Sequence, residues 1–244
     1  TEGEAAAAKA EEVVFQPRQE QGIKAPHFVF YVRSVLEQEL GTDVVENGGL
    51  RVITTLDIEL QEEAEEIVKR YAERNETQFN AENAATVAID AKNGQILTMV
   101  GSRDWFDDTF DGKYNAATAL RQPGSTFKPI VYATAFEKGY TPETVLFDLP
   151  TQFNANCPAT QFNNNNGCYA PNNYDNGYKG PMTIRNALAQ SRNIPAVKAL
   201  YLAGLDDAVE VARDMGITSL SDPDRYGLTL VLGGGEVTLV DLTS

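Results

Sequence analysis

The run Arg121-Gln122-Pro123-Gly124-Ser125-Thr126-Phe127-Lys128-Pro129-Ile130-Val131-Tyr132 decides how this 244-residue chain is read. Ser125 and Lys128 are three residues apart, which on a helix sets them on neighbouring faces within reach of each other across one turn. Pro129 fixes where that helix starts, because a residue without an N–H is tolerated only in the first turn. The helix is therefore expected to begin at Ser125 to Phe127 and to run to Lys138, ahead of Gly139. The hydroxyl then sits at a helix N-terminus, where peptide dipoles favour developing negative charge. A serine hydroxyl is unreactive near neutral pH without an adjacent base. A lysine can be that base if burial lowers its pKa, and Phe127, Ile130, Val131 and Ala133 offer the apolar surround. Taken alone, S-x-x-K is more often a capping serine followed by a surface lysine.

A second motif changes the odds. Ser191-Arg192-Asn193 lies where two helical patterns meet, Thr183 to Leu188 and Ile194 to Leu202. A hydroxyl and an amide held at such a corner can relay a proton and orient a base or a substrate. Alone, S-x-N reads as a turn or a cap. In this order the two match the serine acyl-transfer enzymes that combine S-x-x-K, S-x-N and K-T-G.

Working outward, Ala85 to Ile89 and Gln95 to Gly101 are apolar runs joined at Asn93-Gly94, the pattern of a β-hairpin. Before it, Asp57 suits the N-cap of a helix carrying Leu60, Ala64, Ile67, Val68 and Tyr71 on one side. Leu50 to Leu56 reads as a strand, and Phe28 to Leu40 as a helix closed by Gly41. After the hairpin, residues 102–122 read as a surface loop. Residues 141–181 read as a long irregular stretch holding four consecutive asparagines from Asn163; loops of that length tend to be functional or mobile. Asp206 to Met215 is an amphipathic helix, and a further helix begins near Val237. The expected organisation is a tail or connector over residues 1–26, an interdomain linker module over 27–82, and a sheet-based domain over 83–244.

Hydrophobic residues make up 42% of the chain and charged residues 23%, enough apolar content for a real core. The formal net charge of -15 argues against nucleic acid as a partner, since both would repel. No apolar run approaches the ~20 residues of a membrane span. Two cysteines and one histidine far from them make a poor zinc site. Cys157 and Cys168 either close a short loop as a disulfide, which would indicate an oxidising compartment, or remain free thiols.

The wider sequence resembles the class A penicillin-binding proteins. Arg121 to Tyr132 is similar to their nucleophile motif, and Tyr174 to Lys198 to their second motif with its flanks. Ala25-Pro26-His27-Phe28-Val29 and Val52 to Asp57 resemble the linker ahead of their transpeptidase domain, and Gly233 to Leu239 the segment before their third motif. The resemblance implies an α+β transpeptidase fold shared with serine β-lactamases, an antiparallel sheet with flanking helices, on which the Ser125 helix packs. It implies Ser125 as nucleophile, Lys128 as the base, Ser191 as proton relay and Asn193 as the group that orients Lys128 and binds substrate, with no metal or organic cofactor. Peptidoglycan stem peptides and β-lactam antibiotics are the implied ligands, on the extracytoplasmic face of a bacterial membrane. No K-T-G triplet occurs in the chain. The resemblance places it on a strand beyond residue 244, and the glycosyltransferase domain and membrane anchor before residue 1. A sheet left incomplete at the C-terminus, with an exposed edge, and weak or no isolated activity are therefore expected.

Two rival readings use the same residues. A β-lactamase or β-lactam sensor shares the serine–lysine core, and the class D enzymes share the string Ser-Thr-Phe-Lys. A class A β-lactamase needs a glutamate for deacylation, and the nearest match, Glu236 to Leu239, continues with Val240 instead of that family's asparagine. A non-enzymatic cell-wall interaction module would account for the acidic tail and the Asn-rich loop but would not require the four site residues.

Overall fold

The computed structural model describes residues 22–244. They fall into two compact units, one ending at Val52 and one running from Ile53 to Ser244. Most of the expected tail or connector, residues 1–21, lies outside the described residues.

The first unit is a helical pair, α1 (Pro26–Leu40) and α2 (Thr42–Asn47). Pro26 occupies the first turn of α1, where its missing N–H costs nothing. Gly41, with φ 86°, ends the helix as expected and donates its N–H to Glu37. Arg33 ties the two helices by pairing with Glu37 at 2.6 Å and Glu46 at 2.8 Å.

In the second unit, Asp57 caps α3 (Ile58–Phe79), its carboxylate accepting from the N–H groups of Glu59 and Leu60 at 3.1 Å each. The hairpin forms where expected, from β1 (Thr86–Ile89) and β2 (Ile96–Val100), antiparallel with Thr86 opposite Val100. Two expectations beside it are corrected. Residues 50–56 form no strand: Val52 and Ile53 are exposed, and only the end of the segment reaches the sheet, through Thr55 Oγ1 to the Ile96 carbonyl at 2.6 Å and Asp57 N–H to the Leu97 carbonyl at 3.0 Å. The buried side of α3 is Gln61, Val68 and Ala72, while Leu60, Ile67 and Tyr71 stay exposed. The cause is Gln61, whose amide accepts from Met99 N–H at 2.8 Å and donates to Met99 C=O at 3.1 Å. A side-chain amide thus acts as a one-residue strand on the outer edge of β2, and the helix turns to seat it.

The chain then builds a helical core. A 3₁₀ turn (Gly124–Phe127) leads into α4 (Lys128–Glu137). The Ser125 helix was expected to lie on the hairpin; its main partners are instead α6 (Asn193–Ala203) and α7 (Leu205–Asp214), while the hairpin is covered by α3 and by the last helix, Leu239–Thr243. The reason is in the sequence of α6: Ala196, Ala199 and Ala203 are small and fully enclosed, letting Val131, Tyr132 and Ala135 of α4 approach closely around Val197 and Leu200.

The stretch 141–181 is more ordered than its composition implies. It opens with β3 (Val145–Asp148), which pairs antiparallel with β4 (Gly180–Thr183), and α5 (Ile184–Ala189) follows directly. Along β3 burial alternates: Val145 and Phe147 face out, Leu146 and Asp148 face in. The loop between these strands contains a Cys157–Cys168 disulfide, which settles the open question about the thiols. The whole is an α+β fold of helices around short antiparallel strands, as expected.

Candidate active site

Ser125 lies in the 3₁₀ turn and is exposed, with its carbonyl accepting the backbone N–H of Lys128. The turn is clamped from outside. Arg121 and Val237 exchange two backbone hydrogen bonds of 2.9 Å, and Gly233 lies against Gly124 so closely that a Cβ on Gly233 would stand 2.2 Å from the Gly124 nitrogen. Gly233 also has φ +90°, so only glycine fits there.

One turn on, Lys128 is buried at 1% exposure. Its ammonium nitrogen reaches across to the corner between α5 and α6, contacting the Ser191 carbonyl at 2.7 Å, Ser191 Oγ at 3.1 Å and Asn193 Oδ1 at 2.7 Å. The carbonyl and the amide oxygen can only accept. The hydroxyl can accept or donate. The same geometry therefore satisfies either an ammonium with three N–H donors or a neutral amine with two donors and one lone pair. Burial, helped by the positive charge of Arg192, pushes the Lys128 pKa down to about 8.

The corner itself is unusual. Ser191 has φ +51°, a left-handed conformation that a serine adopts at a cost of ~1–2 kcal/mol. It ends α5, with Ser191 N–H on the Leu188 carbonyl and Arg192 N–H on the Ala187 carbonyl, both at 2.9 Å. Asn193 opens α6; its Nδ2 donates to the Asn172 carbonyl at 2.8 Å, which turns Oδ1 toward Lys128.

Of the four residues singled out from sequence, three are joined directly: Lys128, Ser191 and Asn193. Ser125 is joined to them through its own turn and faces solvent above the buried amine's helix. Asn172 and Asn173 were not singled out. Asn173 is buried, and its Oδ1 accepts the N–H of Asn193 at 2.8 Å. The only signal for them was their place in an asparagine-rich stretch that resembles solvated loop. The structure thus puts an exposed serine one turn from a buried lysine seated on an S-x-N corner, the residue types that the S-x-x-K and S-x-N motifs combine.

Residues 84–230 match the family described as the penicillin binding protein transpeptidase domain. The chain belongs to that family. Among curated penicillin-binding proteins, 2D of Bacillus subtilis is 35% identical over 224 residues, covering 86% of this chain and 30% of that protein. Penicillin-binding protein 1A of Neisseria meningitidis is 38% identical over 154 residues, covering 63% of this chain and 18% of that protein. The chain thus spans less than a third of the length of these relatives. Penicillin-binding protein 1A from Haemophilus influenzae has the same fold, with a TM-score of 0.74 at 22% identity over 99% of this chain and 48% of that chain. PonA1 of Mycobacterium tuberculosis, in complex with penicillin V, has a TM-score of 0.59 at 22% identity over 89% of this chain and 54% of that chain. Among the described residues of this penicillin-binding protein, no helix is long and apolar enough to cross a membrane.

Proposed function

We propose that this penicillin-binding protein cross-links peptidoglycan stem peptides through an acyl-enzyme on Ser125, on the extracytoplasmic face of a bacterial membrane. The observation that carries the reading is the buried Lys128 amine, held at 2.7–3.1 Å by Ser191 and Asn193 one turn from an exposed serine. Ser125 Oγ attacks the penultimate D-alanine carbonyl of a donor stem, and its proton passes to the neutral Lys128 amine. The terminal D-alanine leaves as an amine that takes up a proton through Ser191 Oγ. An amino group of a neighbouring stem then attacks the ester, gives up a proton along the same path and frees Ser125. A β-lactam enters as a donor mimic; its ring opens on Ser125 but the leaving nitrogen stays tethered, so the ester persists. The penicillin V complex of PonA1, a protein of the same fold, supports the reading that this fold takes a β-lactam.

The test is labelling of the full-length protein with a fluorescent penicillin. Wild type is expected to hold one adduct, on Ser125, for minutes or longer, and Ser125→Ala to take none. An adduct lost within seconds would favour the β-lactamase reading. Undiminished labelling and cross-linking by Ser125→Ala would remove the enzyme reading.

A further inference from the structure

We infer that Asp148 and Asn173 are positioning residues for acyl transfer, holding the 191–193 corner on the Lys128 amine through Arg192 and the first turn of α6. The inference rests on the acyl-transfer reading above and extends it to residues on no recognised motif.

Asp148 stands at the inward end of β3, with no exposed surface. Its carboxylate accepts from three N–H groups: Arg192 Nε at 2.9 Å, Asn173 Nδ2 at 2.7 Å and the Lys179 backbone at 3.1 Å. A buried ion pair is weak support for stability alone, since apolar residues of similar volume often serve as well. Its position suggests a different use. The Arg192 guanidinium spreads over Asp148, the exposed Asp175 at 2.9 Å and the Gly177 carbonyl, so one nitrogen is fixed by the end of β3 and two by the loop that follows it. A planar fork held at each nitrogen fixes orientation as well as place.

Arg192 is the residue between the two that touch Lys128. Ser191 and Asn193 contact the amine while Arg192 reaches into the loop network. Asn173 grips the same corner from the other flank. Asn193 follows a residue that supplies no side-chain cap to α6, and its N–H is taken instead by Asn173 Oδ1 across the loop. Asn173 Nδ2 returns to Asp148 and to the Gly177 carbonyl at 2.9 Å. The two residues that follow the left-handed Ser191 are thus pinned, Arg192 at its guanidinium and Asn193 at its N–H, by groups that make no contact with the lysine. Released, Ser191 has more comfortable backbone conformations available, each of which would move its hydroxyl off Lys128. A displacement of about 1 Å among reacting groups can lower a rate ~100-fold.

The experiment measures acylation of the full-length protein by a fluorescent penicillin, separating non-covalent affinity from the acylation rate constant per titrated site. Asn173→Ala removes the acceptor for the Asn193 N–H. Arg192→Lys keeps the charge and loses the fork. Both are expected to lower the acylation rate constant ~10- to 100-fold while affinity changes less than about threefold. Asp175→Asn loosens the network from its solvent side, strands no buried group, and is expected to cost a smaller loss of about threefold. Melting temperatures of the same samples separate misfolding from misplacement. Wild-type acylation per titrated site in Asn173→Ala and Asp175→Asn, or losses confined to the titratable fraction, would overturn the positioning role. A wild-type adduct on a residue other than Ser125 would instead overturn the acyl-transfer reading, and this inference with it.

Discussion

A lysine amine sealed from water gives up its proton more readily than one in solution, because burial penalises the charged form. Lys128 has this environment, with Arg192 adding a second positive charge, and its pKa falls to about 8. As a base it works only when neutral. At pH 7 about a tenth of the molecules carry the neutral amine, so the acylation rate is expected to rise roughly tenfold from pH 6 to pH 7, bend near pH 8 and level above it. Arg192→Met removes one of the two causes of the depression and leaves Asp148 unpaired nearby; both effects favour the protonated lysine. The bend is therefore expected to move to higher pH in Arg192→Met and to stay near pH 8 in Arg192→Lys. Rates of penicillin acylation measured across pH 6 to 10 check this; a bend unmoved in Arg192→Met would mean that burial alone sets the pKa. At this scale the sequence was legible where chemistry is written as spacing. Lys128, Ser191 and Asn193, which the structure joins, sit on motifs that can be read from spacing, as does Ser125 one turn before the lysine. Asp148 and Asn173 were not legible, because a buried, fully bonded aspartate and a solvated loop aspartate are the same letter.

Gln61 shows how a helix and a strand are joined by one side chain. Its amide supplies a donor and an acceptor to Met99, and both partners are buried. Gln61→Ala would leave the Met99 N–H and C=O without partners inside the fold. Two such groups cost about 2–4 kcal/mol together, more than the amide's own hydrogen bonds contribute net. Denaturant unfolding should register a loss of that size. A loss under about 1 kcal/mol would mean that water replaces the amide at the β2 edge. The same residue explains why the face of α3 was misread. An amphipathic stripe drawn through Leu60, Ile67 and Tyr71 counts apolar area and gives no weight to a glutamine that satisfies a sheet edge. β3 and β4 went unread for a related reason: four-residue strands, one opening Gly180-Pro181, carry too few residues for a period to appear. Residues 50–56 failed in the opposite direction. β-Branched residues favour strands by packing on a half-buried surface, and Ile53 has none to pack on. The longer helices and the first hairpin were legible because their periods run long enough, and their Asn-Gly turn and Asp57 cap act locally; the six-residue helix Thr42–Asn47 is too short for a period and went unread.

For the molecule as a whole, packing sets where the unit that carries the family match begins. Residues 84–230 match the transpeptidase family, and the change in sequence character falls near 83. The compact unit nevertheless starts at Ile53, and α3 within it supplies the only partners of the Met99 backbone on that edge of β2 among the described residues. α3 also buries Val68 and Ala72. If α3 were only a connector, a protein starting at Asn83 would keep its hairpin as well as one starting at Ile53. The packing says otherwise: losing the Gln61 amide and the apolar seat of α3 together should exceed the Gln61→Ala effect. Amide hydrogen exchange reads this directly, since about 3 kcal/mol of local opening free energy corresponds to roughly 100-fold in exchange rate. Protection at Met99 and Val100 is expected to drop by at least that factor in the shorter protein relative to the longer. The core of α4 and α6, packed chiefly on each other, should lose less. Equal protection of the hairpin in both proteins would make residues 53–82 dispensable to the sheet and restore the boundary near residue 83.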